Sequence, residues 1–180
     1  WKAALRTNLL VPGLNAGIMV PVGKHLSLGA DWYCPWIWPP ADNRWCVELL
    51  ALGLEGRWWF SPHDVPREKA TGHSAGVGVM AGYYDFQRNY SGMQGEFACI
   101  ELDWMYAFPL RDSRWRLSLS IGAGYLYSRS RRYDVHVPGG KLYRPGHWSD
   151  VRRYGGPLRA EVSLVMPLWR SKAVSKEDCR

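Results

Sequence analysis

Apolar and polar residues alternate with a period of two along most of the chain. The clearest run is 117–127. Leu117, Leu119, Ile121, Ala123, Tyr125 and Tyr127 share one parity, while Ser118, Ser120, Gly122, Gly124 and Leu126 share the other. Side chains alternate across a strand, so the run predicts a strand with one apolar face and one small, polar face. The pattern recurs. Leu158, Ala160, Val162, Leu164 and Met166 oppose Arg159, Glu161 and Ser163; Ile100, Leu102, Trp104 and Tyr106 oppose Glu101 and Asp103. Leu50, Leu52, Leu54, Trp58 and Phe60 oppose Ala51, Gly53, Glu55 and Arg57, and similar sets occupy 26–33 and 76–83. Eight strands are predicted, at about residues 3–11, 16–22, 26–38, 45–60, 74–87, 96–109, 115–133 and 157–169. Tight polar turns at 23–25 and 111–113 alternate with longer Gly-, Pro- and aromatic-rich connections at 35–44, 88–95 and 134–156. Two connections depart from that alternation, a short one at 12–15 and a long one at 61–71.

Parity alone does not say which face looks inward. Size does. An eight-stranded barrel has room inside for modest side chains only. The apolar faces are bulky and end in Trp and Tyr; the other faces are Gly, Ser and Ala with a few charges. The small set fits inside and the bulky set against lipid. The predicted fold is therefore all-β: an eight-stranded antiparallel up-and-down transmembrane β-barrel over 1–169, followed by a charged, periplasmic tail at 170–180. The reverse arrangement, a soluble calyx for a lipophilic ligand, is the fold-level alternative.

Composition sharpens this picture. The chain has 11 Trp and 10 Tyr but 4 Phe. Trp and Tyr pair an apolar body with a polar tip, which suits a membrane–water boundary. Mean hydropathy is −0.30, and no stretch nears the roughly 18 apolar residues of a membrane-spanning helix. The net charge is +7. No nucleic-acid-binding motif accompanies it, so lipid phosphate is the expected counter-charge and nucleic acid is not a partner. The cysteines are Cys34, Cys46, Cys99 and Cys179, without a CxxC pair, so no metal site and no cofactor is expected. Cys34 and Cys46 flank 35–44 and are the pair that a disulfide across its stem would join. The chain begins at Trp1 without a signal-peptide pattern, so an exported form would have lost it.

Three groups carry the candidate chemistry. Parity places Arg6, Asp31, Glu55, Arg57, Glu101, Asp103, Arg159 and Glu161 on the small-residue side, where mixed charges would pair and fill the lumen. Arg129, Arg131 and Arg132 follow Tyr125 and Tyr127 and are candidates for lipopolysaccharide phosphate, which guanidinium forks match. Trp36, Trp38, Tyr90, Tyr143 and Trp148 fall in the long connections and are candidates for partner contact. His147, Ser149 and Asp150 supply residue types used in hydrolysis, but neighbours in one loop rarely reach triad geometry. No catalytic residue is assigned.

Several stretches resemble the "domain of unknown function 3575" family of small outer-membrane proteins from Bacteroides-type Gram-negative bacteria. They are 6–10 (RTNLL), 15–18 (NAGI), 23–33 (GKHLSLGADWY), 55–60 (EGRWWF), 72–73, 83–86 (YYDF), 120–125 (SIGAGY) and 160–164 (AEVSL). The resemblance implies an outer-membrane barrel, often encoded beside fimbrial or other surface-assembly genes, with no known reaction. The expected role is a non-enzymatic structural or accessory subunit of the bacterial outer membrane, in contact with lipid and lipopolysaccharide and with a protein partner. A lipopolysaccharide-modifying enzyme and a small ion channel are the alternatives.

Overall fold

The computed structural model describes residues 3–37, 45–60, 71–88, 91–111, 113–134 and 150–168. These residues are all-β and contain no helix. The strands are β1 (Ala4–Asn8), β2 (Leu14–Pro21), β3 (Leu26–Cys34), β4 (Trp36–Ile37), β5 (Trp45–Trp59), β6 (Gly72–Arg88), β7 (Ser91–Pro109), β8 (Arg116–Asp134) and β9 (Asp150–Pro167). All are antiparallel and belong to one sheet. β1 pairs with β9, and β3 pairs with β5, so the sheet closes into a ring with β4 outside the cycle.

The strand total differs from the eight predicted, and Pro35 explains it. Proline has no N–H to give the ladder. β3 ends at Cys34, and β4 resumes at Trp36 against β5, opposite Glu48. Strand limits shift as well. β7 starts at Ser91, and β9 starts at Asp150 rather than near 157. The glycines and arginines of 150–156 read as loop, but a long neighbour supplies a ladder for them: Asp150 pairs with Ser130. A register shift between Gly122 and Ala123 absorbs one extra residue of β9 and changes which of its side chains face in beyond Arg159.

Contacts across the ring identify its inner face. Arg159 on β9 meets Glu55 on β5 at 3.0 Å. These strands are separated by β1–β3 in one direction and β6–β8 in the other, so they stand opposite each other. Side chains of that parity therefore point inward. Those of the other parity, among them Leu52, Leu54, Ile100, Leu102 and Ile121, are exposed on the outside.

The inside is layered. At the end bearing the β2–β3 and β7–β8 turns, Ala4, Met19, Trp59, Met105, Ala107 and Val165 form a buried apolar cluster. Trp59 completes it by donating its indole N–H to Ser27 Oγ at 2.9 Å. The inner face is thus not limited to small and charged residues: bulky Met19, Trp59 and Met105 share the parity of the charges. Above the cluster lies the charged layer. At the far end, Leu49, Tyr84 and Phe97 face inward; Tyr84 stacks on Phe86 at 5.1 Å and bonds Ser128 Oγ at 2.8 Å.

β5–β8 extend well past β1–β3 at that far end, and the polarity of their faces reverses there. Outward positions are Leu50, Tyr83, Ala98 and Tyr127 at the last apolar rung of each strand, then Glu48, Asp85, Glu96 and Arg129. The change falls within one outward position on all four strands.

Backbone closeness is tight at Gly124, where an added Cβ would strike the Ile100 carbonyl and the Glu101 Cα, and absent at Gly155, where it would meet nothing within 4 Å. Gly124→Val is expected to lower unfolding stability by about 1–3 kcal/mol. Gly155→Ala should stay within about 0.5 kcal/mol. Urea titrations followed by tryptophan fluorescence in detergent check both; equal midpoints would refute the assigned packing.

Candidate functional site

The charged layer gathers all eight residues predicted to fill the lumen. β1 supplies Arg6, β3 Asp31, β5 Glu55 and Arg57, β7 Glu101 and Asp103, and β9 Arg159 and Glu161. Glu55 is the hub. It meets Arg6 at 3.0 Å, Arg159 at 3.0 Å and Arg57 at 3.3 Å. Arg6 forks onto both carboxylate oxygens of Asp31. Arg57 reaches Asp103 at 2.6 Å and donates to Ser74 Oγ at 3.2 Å. Arg159 reaches Glu101 at 2.5 Å, and Ser163 donates to Glu161.

Glycines make room for these long groups. A Cβ at Gly29 would stand 2.8 Å from Glu55 Cγ, and one at Gly76 would stand 3.0 Å from Arg57 Nη2. The small residues on the inner parity are therefore the space in which the charges lie. Five carboxylates face three guanidiniums, so the layer carries two more negative than positive groups. Arg57 has no side-chain exposure and Glu55 has 1 %. Charges removed from water to this degree persist only when paired and hydrogen-bonded. Chemically, the layer joins opposite walls of the ring through buried ion pairs.

The three candidate arginines of β8 separate. Arg129 and Arg131 share the outward face. Arg132 has the opposite parity and pairs with Asp150 at 3.9 Å on an exposed rung. Alternation requires this split, so the three do not share one face. Arg153, opposite Tyr127 on β9, is the arginine that joins the outward set. It escaped the sequence reading because 150–156 looked like loop. Glu96 stands opposite Arg129 and Gln94 opposite Arg131.

Of the loop aromatics, Trp36 is described and is strongly exposed. Trp38, Tyr90, Tyr143 and Trp148 lie outside the described residues, as do His147, Ser149 and the 170–180 tail. Cys34 and Cys46 are free thiols, as is Cys99. Tyr33, beside Cys34, pairs with Ala51, which puts Cys34 nearest Leu50 on β5. Cys46 lies four residues further along that strand, roughly 13 Å at the strand rise and beyond disulfide reach. Cys46 Sγ instead contacts the Asp85 carbonyl at 4.0 Å. Tyr133 donates its hydroxyl to Asp85, and burial with that carboxylate pushes its phenol above the ordinary value. His25 donates from Nδ1 to the Trp59 carbonyl, 2.9 Å away, and stacks on Trp58 at 5.1 Å; His73 stacks on Trp104 at 5.2 Å. Both belong to an outer aromatic belt at the turn end.

Residues 2–168 match the family described as Protein of unknown function (DUF3575). The chain belongs to that family. No curated protein and no solved structure matches it. The family match spans every strand of the ring and every member of the charged layer.

Glu55→Gln removes the carboxylate that three guanidiniums share, and about 3–5 kcal/mol of stability should go with it. Arg132→Ala, on an exposed pair, should leave stability unchanged. Urea midpoints in detergent test the contrast; a Glu55→Gln protein as stable as the parent would show that the hub is dispensable.

Proposed function

We propose that the chain spans the bacterial outer membrane as a β-barrel and serves there as a structural or accessory subunit that presents its far-end loops to a surface partner. One observation supports the membrane part above all. Outward positions in the windows 50–60, 73–83, 98–108 and 117–127 on β5–β8 are apolar save Gly56 and His73, and polar positions follow immediately beyond their far ends. A tilted strand needs about 9–11 residues to cross a bilayer. These windows have that length on four adjacent strands. Their ends carry Tyr83, Tyr125 and Tyr127 on one side and Trp58, Trp104 and Tyr106 on the other, like the aromatic girdles of membrane barrels. No helix among the described residues is long and apolar enough to cross a membrane, so strands are the crossing elements in this reading.

The interior argues for a plug rather than a pore. Salt bridges joining opposite walls occupy the middle of the ring, and the turn end is filled by Met19, Trp59 and Met105. A calyx for a lipophilic ligand would need the Leu and Trp face inside, whereas the face that meets itself across the ring is the charged one. Function therefore lies outside the lumen in this reading. Trp36, on a two-residue strand at the far end, is the described member of the aromatic set that would contact a partner. Arg153 beside Tyr127 stands where lipid phosphate would lie, and a guanidinium suits it.

Expressed with an export signal in a Gram-negative host, the chain should stay in the envelope pellet through a urea or alkaline carbonate wash and leave it with detergent. Unboiled protein should migrate ahead of boiled protein on a gel. Release by the wash alone would sink the membrane reading. A mild-detergent pull-down that recovers one unchanged complex from chains with and without residues 135–149 would sink the partner reading.

A further inference from the structure

Beyond the apolar windows, the outward face of β5–β8 carries a groove of about 550 Å³. Its chemistry differs from that of the wall below it. Trp36 and Tyr83 line it with broad aromatic surface, 61 % and 65 % exposed. Glu48, Asp85 and Glu96 add carboxylates, and Gln94 adds an amide. Arg129 and Arg131 add guanidiniums from β8.

We infer that this groove binds a saccharide. A hexose has an apolar C–H face and a rim of hydroxyls. Flat indole and phenol rings cover the first at low conformational cost. Carboxylates accept from hydroxyls, guanidiniums donate to them, and an amide does both. Charged partners make the stronger hydrogen bonds.

The charge balance separates a saccharide from a phosphate. Three carboxylates against two guanidiniums leave the groove one negative charge, which repels an anion. One of the carboxylates is also fixed in advance: the Tyr133 hydroxyl holds that of Asp85. Groups ordered before binding lose less entropy on binding.

The source of the sugar rests on the membrane reading. Leu50 and Tyr83 form the last apolar rung and also line the groove, so the groove opens at the edge of the proposed bilayer. A glycolipid headgroup in that leaflet has the required chemistry, and so does a soluble oligosaccharide.

Fluorescently labelled full-length chain in detergent, applied to an array of neutral, amino and phosphorylated oligosaccharides, tests the idea. The best neutral glycan is then titrated in free form and linked to lipid in micelles, with inorganic phosphate as competitor. Saturable binding of a neutral glycan is expected, without competition by phosphate. Trp36→Ala and Asp85→Asn should each weaken it at least tenfold, about 1.4 kcal/mol; Tyr83→Phe should stay within threefold. Tighter binding of the lipid-linked form assigns the sugar to a leaflet glycolipid, and equal binding assigns recognition to the sugar alone. Undiminished affinity in folded Trp36→Ala and Asp85→Asn proteins overturns the proposal, as does displacement by phosphate or failure to bind any neutral glycan. The measurement is made in detergent, so its failure is distinct from failure to partition into membranes.

Discussion

A single carboxylate ties two opposite walls of the ring together. Glu55 lies in the middle of the interior and accepts from arginines on β1, β5 and β9. Taking an ion out of water costs several kcal/mol, and its partners in a low-dielectric interior must repay that through good geometry. The repayment here is possible only when β5 and β9 face each other across a closed ring. An open sheet would leave Glu55 and Arg159 far apart, each desolvated or each reclaimed by water. Closure and charge pairing therefore depend on each other. The same constraint explains the inner-face glycines, since Gly29 and Gly76 leave the volume that Glu55 and Arg57 occupy.

Much of this was legible in the chain itself. The period-two pattern located the strands of the ring and sorted Arg6, Asp31, Glu55 and their companions onto one face, because parity is a local property of a strand. What parity cannot carry is register. Which arginine meets Glu55 depends on the offset between strands far apart in sequence; Arg159 and Glu55 are 104 residues apart. Likewise, the offset between β3 and β5 separates Cys34 from Cys46, although the pair looks close along the chain. Local composition misled at 150–156, where Gly and Arg in an isolated segment argue for loop, yet a neighbouring strand long enough to pair with them makes strand. Arg153 was hidden by that error. Arg132 was misplaced by a simpler one, since it stands one residue out of step with Arg131.

The reversal of polarity on β5–β8 was present in the sequence as a change of phase. Outward positions run Glu48, Leu50, Leu52 on β5 and Tyr83, Asp85, Gln87 on β6, while Leu49 and Tyr84 take the inward positions there. A reading that assigns one character to each face for the whole strand passes over such a change. It emerges once the ladder aligns the four strands and the four changes fall within one outward position of one another.

That alignment bears on what surrounds the molecule. In water throughout, an outer face has no reason to change character at one level on four strands. In lipid throughout, Glu48, Asp85, Glu96 and Arg129 would carry unsolvated charge, which costs several kcal/mol per ion. The proposed bilayer, apolar up to about one level and aqueous above it, would account for both halves with the same backbone. It also accounts for Leu49, Tyr84 and Phe97 turning inward above that level, since a wall that stands in water must hide its apolar side chains from water. The far-end extension is thus a small sheet whose inward side carries the aromatic contacts of Tyr84 with Phe86 and Phe97. Pairing around the ring does not require it, because β1–β3 complete their ladders without it. Long strands that the ring does not need, bearing charged and aromatic groups on the outward side, hold a surface at a fixed height above the apolar band.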